Sequence, residues 1–261
     1  MKKLVSIAAV LSLMCFASFA QDKQMFNHFA AGVTVGIDGF GFEMATTMSP
    51  YVQVRGGYSI FPYTYKRTES FSLALKGKGS ERNYEIPIGI TIFKGGSGKL
   101  LFDIFPGKNT DFHFTLGAYT GFGKLGYAYG DCTNYLDEYE YANLEVDFNG
   151  ISVTTDQKGY AIIDAKAKTG SFIPYAGLGF GRTVRPGSRV RVSFDLGALI
   201  TGGLKFQTYN FHDSPKGRAI PITSASLADD NGNLADDGLI DKFSKFPVIP
   251  MLKLNIFINI L

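Results

Sequence analysis

The last twelve residues, "PMLKLNIFINIL", place Leu252, Leu254, Ile256, Ile258 and Ile260 on one parity and Lys253, Asn255 and Asn259 on the other. A period of two belongs to a strand, whose alternate side chains share a face. One face of this strand is a continuous aliphatic ribbon, and the other carries a lysine and two asparagines. The arrangement recurs along the chain. Phe29, Ala31, Val33, Val35 and Ile37 stand against His28, Gly32, Thr34 and Gly36. Phe40, Phe42, Met44 and Met48 stand against Gly41, Glu43, Ala45 and Thr47, and Val52, Val54, Tyr58 and Ile60 against Gln53, Arg55, Gly57 and Ser59. "KLLFDIFP", "DFHFTLGAYTGF", "SFIPYAGLGFGR" and "RVRVSFDLGALI" repeat it. Alternating segments of roughly 9–11 residues have the length that a tilted strand needs to cross a bilayer.

Soluble sheets also alternate, so the polar parity decides. It carries both charge signs at strand middles, in Glu43, Arg55, Asp103, Arg191, Asp195 and Lys253. His113, Tyr119, Tyr175, Arg189 and Asn255 share that parity, with Gly177, Gly179 and Gly181 between them. Small residues beside large charged ones fill a narrow lumen, and pairing makes buried charge tolerable. The six charged residues are therefore expected to form a lumen charge network, with Glu43 opposite Arg55 across a three-residue turn at Ser49.

Connection lengths point the same way. "SP", "GKNT" and "VRPGS" are short, whereas residues 63–98, 123–170 and 201–247 are long, with Asp38 and Gly39 as a short exception. Short turns at one end and long loops at the other are the pattern of outer-membrane barrels with an even strand count. The expected fold is all-β, an antiparallel up-and-down transmembrane β-barrel with long extracellular loops. Eight strands are expected, with ten to twelve as the alternative. "NYEIPIGITIF" also alternates, and with "KLLFDIFP" it forms either one long strand interrupted by a bulge or two strands, in which case "KGYAIIDAKAK" is available to keep the count even.

The other end of the chain supplies the compartment. "MKKLVSIAAVLSLMCFASFA" has a two-lysine head, an apolar run and small residues at Ser18 and Ala20, which reads as a signal peptide over 1–20. Residues 21–261 are then a single barrel domain. With Lys2 and Lys3 removed, 24 basic residues face 23 acids, and nothing points to nucleic acid. Cys132 is the one cysteine left, so no intramolecular disulfide can form. The 23 Phe and 14 Tyr suit aromatic girdles at the two membrane interfaces.

The runs "GVTVGIDGFGFEMATTMSPYVQVRGGYSIFP", "LLFDIFPGKNTDFHFTLGAYTG", "FIPYAGLGFGR", "RVSFDLGALITG" and "FPVIPMLKLNIFINIL" resemble a family of uncharacterised Gram-negative outer-membrane β-barrel proteins. They are more distantly similar to the small OmpA/OmpX-type barrels. Leu261 departs from the pattern, being neither aromatic nor on the outward parity. The resemblance implies an outer-membrane location, contact with outer-membrane lipid and insertion by the outer-membrane assembly machinery.

Chemistry is sparse. Of three histidines, His28 and His113 map to the turn end, leaving "FHDS", with His212, Asp213 and Ser214 in an outer loop. Adjacent residues diverge, whereas catalytic partners converge from separate elements. "LADDNGNLADDGLID" is rich in oxygen donors but lacks calcium-loop spacing. No cofactor motif is present, and no enzyme is expected. The expected role is structural or surface-interacting, with a closed polar lumen and loops that meet an extracellular ligand or partner. A narrow pore and a lipid A-modifying enzyme are the alternatives.

Overall fold

The computed structural model describes residues 26–73, 82–121, 123–135, 145–148, 151–211, 216–222, 245 and 247–260. The signal segment, residues 212–214 and the acidic stretch 227–241 lie outside them. In chain order the strands are β1 (Phe29–Gly36), β2 (Gly39–Ser49), β3 (Val52–Ile60), β4 (Tyr65–Leu73), β5 (Arg82–Lys94), β6 (Ser97–Ile104), β7 (Phe112–Thr120) and β8 (Lys124–Asp131). There follow β9 (Glu145–Phe148), β10 (Ile151–Thr154), β11 (Tyr160–Ala167), β12 (Phe172–Phe180), β13 (Val190–Ile200), β14 (Leu204–Asn210), β15 (Arg218–Ile222) and β16 (Val248–Asn259).

Eight of these close a barrel in the order β1-β16-β13-β12-β7-β6-β3-β2, each paired antiparallel with its neighbours. The closing contact is long: β16 runs beside β13 from Ile200↔Val248 to Val190↔Ile258, and beside β1 from Gly36↔Lys253 to Ala30↔Asn259. Two-residue periodicity becomes two-sided burial. Along β16 Leu252, Leu254, Ile256 and Ile258 are exposed, while Met251, Lys253, Asn255 and Phe257 are buried. Phe42, Leu100, Leu116, Leu178 and Val192 continue the exposed apolar belt on other strands. Aromatics gather near its margins, with Phe40, Tyr58 and Phe172 at the loop end and Phe112 paired with Phe180 at the turn end.

The segments that could have been extra staves build a second, six-stranded sheet in the order β15-β14-β11-β8-β5-β4, and β9 and β10 form a separate hairpin. β5 and β6 are thus two strands in two sheets. The second sheet repeats the lateral order of the barrel strands it joins, because β4 leaves β3, β5 enters β6, β8 leaves β7, β11 enters β12 and β14 leaves β13. At four of these junctions stand glycines with positive φ, Gly95 and Gly96, Gly121, Gly170, and Gly202 and Gly203. That conformation is cheap only without a Cβ, so the chain can turn sharply there without strain. The short exception at the loop end is the two-residue turn Ile37–Asp38 between β1 and β2.

Candidate functional site: the lumen

An eight-stranded barrel is just wide enough for its own side chains to fill. Here they fill it in three layers.

The middle layer is charged. Arg55 on β3 reaches three acids: Asp103 through Nε at 2.7 Å and Nη2 at 2.8 Å, Asp195 through Nη1 at 2.8 Å, and Glu43 through Nη1 at 3.5 Å. The Nη2 contact is a charge-assisted hydrogen bond to Oδ1, and Nε lies against Oδ2 as an ion-pair contact. Lys99 on β6 lies 2.6 Å from Glu43 and 3.5 Å from Asp38, and donates to Ser59 at 2.8 Å and Thr34 at 3.3 Å. Lys253 stands 3.9 Å from Glu43 and 4.0 Å from Asp195, with its ammonium 5.5 Å from the Tyr119 ring centre and 5.3 Å from that of Tyr175. Thr115 donates to Asp103, and Asn255 donates to Asp195, each at 2.8 Å. Glu43, Arg55, Asp103, His113, Asp195 and Asn255 are all 0% exposed.

Four acids, Asp38, Glu43, Asp103 and Asp195, thus face three bases, Arg55, Lys99 and Lys253. His113 lies in the same layer. Its Nε2 is 3.2 Å from Asp195 Oδ1 and its Nδ1 is 3.3 Å from the Asp111 carbonyl, so both ring nitrogens face acceptors. Glycines make room for this packing. A Cβ on Gly57 would lie 2.6 Å from Glu43 Cγ, and one on Gly179 would lie 2.2 Å from His113 Nε2.

The loop-end layer is apolar. Leu101, Tyr119, Ile173, Tyr175, Leu199 and Met251 from the barrel pack with Phe93, Leu125 and Ala167 from the second sheet. At the turn end Ala30, Ala45 and Phe257 pack with Val184, which the connection from Gly181 to Arg189 folds into the mouth. Gln53 holds that connection in place, donating to the Val184 carbonyl at 2.5 Å and accepting from Thr183 Oγ1 at 2.9 Å.

Glu43, Arg55, Asp103, Asp195 and Lys253 therefore meet in one cluster, but Arg191 does not join it. It sits at the turn end, partly exposed, 3.4 Å from Asp111 and donating to the Arg182 carbonyl. It belongs to the second residue of β13, and inward parity so close to a barrel mouth leads to water and the loop rather than to the centre. The hairpin register also differs from expectation. A bulge between Thr47 and Ser49 sets Arg55 opposite Ala45 and Glu43 opposite Gly57, so the pair meets diagonally. Lys99 and Asp38 are members that sequence reasoning missed. Lys99 has the parity of Asp103 and was detectable by continuing that alternation four residues upstream.

Beyond the barrel, Asp164 on β11 accepts from Tyr209 and pairs with Lys124 at 2.7 Å, while Gln207 donates to the Tyr209 hydroxyl at 2.8 Å. Burial, then the bond to Asp164, pushes the Tyr209 phenol up to about 12. Cys132 is buried, and burial, then Asp131, pushes its thiol up to about 11. Among the described residues no group of His, Cys, Asp and Glu could hold a metal ion.

No protein-family model matches the chain, and no curated protein matches it. Among solved structures it is similar to Acinetobacter baumannii CarO2, at 17% identity over 89% of this chain and 98% of that one, with a TM-score of 0.44. It is also similar to Acinetobacter baumannii CarO, at 18% identity over 88% of this chain and 96% of that one, with a TM-score of 0.39.

Proposed function

We propose that this protein is an outer-membrane barrel with a sealed lumen, which anchors a surface-interacting module made of the second sheet and the long connections. The observation that carries the reading is the combination of an outward apolar belt with an interior filled from end to end. A belt of exposed Phe, Leu, Ile and Val around a closed sheet is costly in water and favourable in lipid, and a closed sheet leaves no edge to satisfy. Solute passage would require breaking the charge layer and both end layers. The acids and bases pair with one another instead of lining an aqueous path.

Surface labelling tests the placement. In a Cys132→Ser background, Lys205→Cys on the second sheet is expected to react with a membrane-impermeant maleimide on intact cells. Asn109→Cys, in a turn at the opposite end, is expected to react only after permeabilisation. Labelling of Asn109→Cys but not Lys205→Cys on intact cells would invert the orientation and remove the basis for a surface role.

A further inference from the structure

The turn end holds a pocket that the sealed lumen does not use. A cavity of about 440 Å³ lies where the segment before β1, the β2–β3 and β6–β7 turns and the connection after β12 converge, lined among others by His28, Thr47, Lys108, Arg182 and Arg185. Its charge is one-sided. Arg182 is buried, stacks 3.9 Å over the Phe105 ring and donates to the carbonyls of Thr110 at 2.8 Å, Gly107 at 2.8 Å and Pro50 at 3.2 Å. Those carbonyls satisfy its donors without cancelling its charge. The acid nearby is Asp111, shared between Arg185 at 3.6 Å and Arg191 at 3.4 Å. Lys108, Arg182 and Arg185 thus give the lining three cations and no acid. Burial, then Arg185, holds the Arg182 guanidinium below its ordinary range, with Arg191 acting in the same direction and Asp111 opposing them. Thr47 adds a hydroxyl with no hydrogen-bond partner among the described residues.

We propose that this pocket is an anion site that binds a phosphate group, with Lys108 and Arg185 as its solvent-reaching charged contacts and Arg182 as a buried charge in its wall. The excess of three positive charges favours a phosphate dianion over a single carboxylate, and arginine and lysine both bind phosphate well. The volume leaves space for more than the phosphate itself, so the group belongs either to a small soluble phosphate compound or to a phospholipid headgroup. The site goes beyond the proposed surface role and does not depend on it.

The test uses the full mature chain, folded in zwitterionic detergent at low ionic strength and titrated calorimetrically with pyrophosphate. Saturable binding is expected. It should weaken about tenfold in Lys108→Gln or Arg185→Gln, the loss of one charge-assisted contact, and remain unchanged in Lys205→Gln. Lys108→Arg should retain it. A parallel arm compares nanodiscs of phosphatidylglycerol and phosphatidylcholine. Selective retention of phosphatidylglycerol that Arg185→Gln abolishes identifies the headgroup as the source, and pyrophosphate binding without lipid preference identifies a soluble phosphate compound. Absence of both from the folded wild-type chain would overturn the proposal, as would equal binding by wild type, Lys108→Gln and Arg185→Gln.

Discussion

Arg55 is the residue on which the interior turns. Its guanidinium faces Asp103, Asp195 and Glu43, none of which meets solvent. Removing one partner of a buried ion pair leaves its charge uncompensated, which costs more than the pair contributes against a well-packed apolar substitute. Arg55→Met is therefore expected to destabilise the barrel by about 3–5 kcal/mol. Asp103→Asn should be costly as well, and the double mutant should cost less than the sum, read as urea midpoints of refolding into bilayer vesicles. Strict additivity would dissolve the pair. Much of this cluster was legible because charge on an inward parity has few ways to be buried. Lys99 and Arg191 show what was not. Parity places a side chain on a face but not at a height, so Lys99 was passed over near a glycine run, while Arg191 was placed in a network whose centre lies beyond its reach.

At the level of elements, β16 shows how little the barrel depends on subtle signals. Its exposed Leu252, Leu254, Ile256 and Ile258 alternate with buried Met251, Lys253, Asn255 and Phe257, as the sequence pattern requires. Ile256→Arg would place a charge on the lipid face near the middle of the strand, at a cost of roughly 2–4 kcal/mol in bilayer stability. Unchanged stability in lipid would contradict the outward assignment. The second sheet was hidden for a physical reason. β5, β8 and β11 alternate as barrel staves do, and what diverts them is positive φ at Gly95, Gly96, Gly121 and Gly170, which their sequence neighbours do not announce. Cys132 reports on this region. Its thiol, pushed up to about 11 by burial and then by Asp131, carries far less thiolate at neutral pH than an ordinary one. Because the shift is upward, its maleimide reaction should be slow at neutral pH and accelerate steeply as pH rises, compared with an exposed cysteine such as Asn109→Cys. Equal rates at neutral pH would show an open, solvated thiol.

For the whole molecule, the layers combine into one statement. An apolar layer of Tyr119, Leu199, Met251 and their neighbours occupies the loop end, paired charges occupy the centre, and Val184 and Phe257 pack at the turn end. These layers are the basis of the proposed sealed anchor. Mixed charge on the inward parity was legible in the sequence, but the end layers were not, since they depend on the second sheet and on the inward fold of the connection from Gly181 to Arg189. Single-channel recording of the purified mature chain in a planar bilayer tests this account most directly. Heat-modifiable, folded protein is predicted to leave the bilayer at its baseline, whereas steady steps on the order of hundreds of picosiemens, as expected of a water-filled barrel, would contradict the sealed lumen.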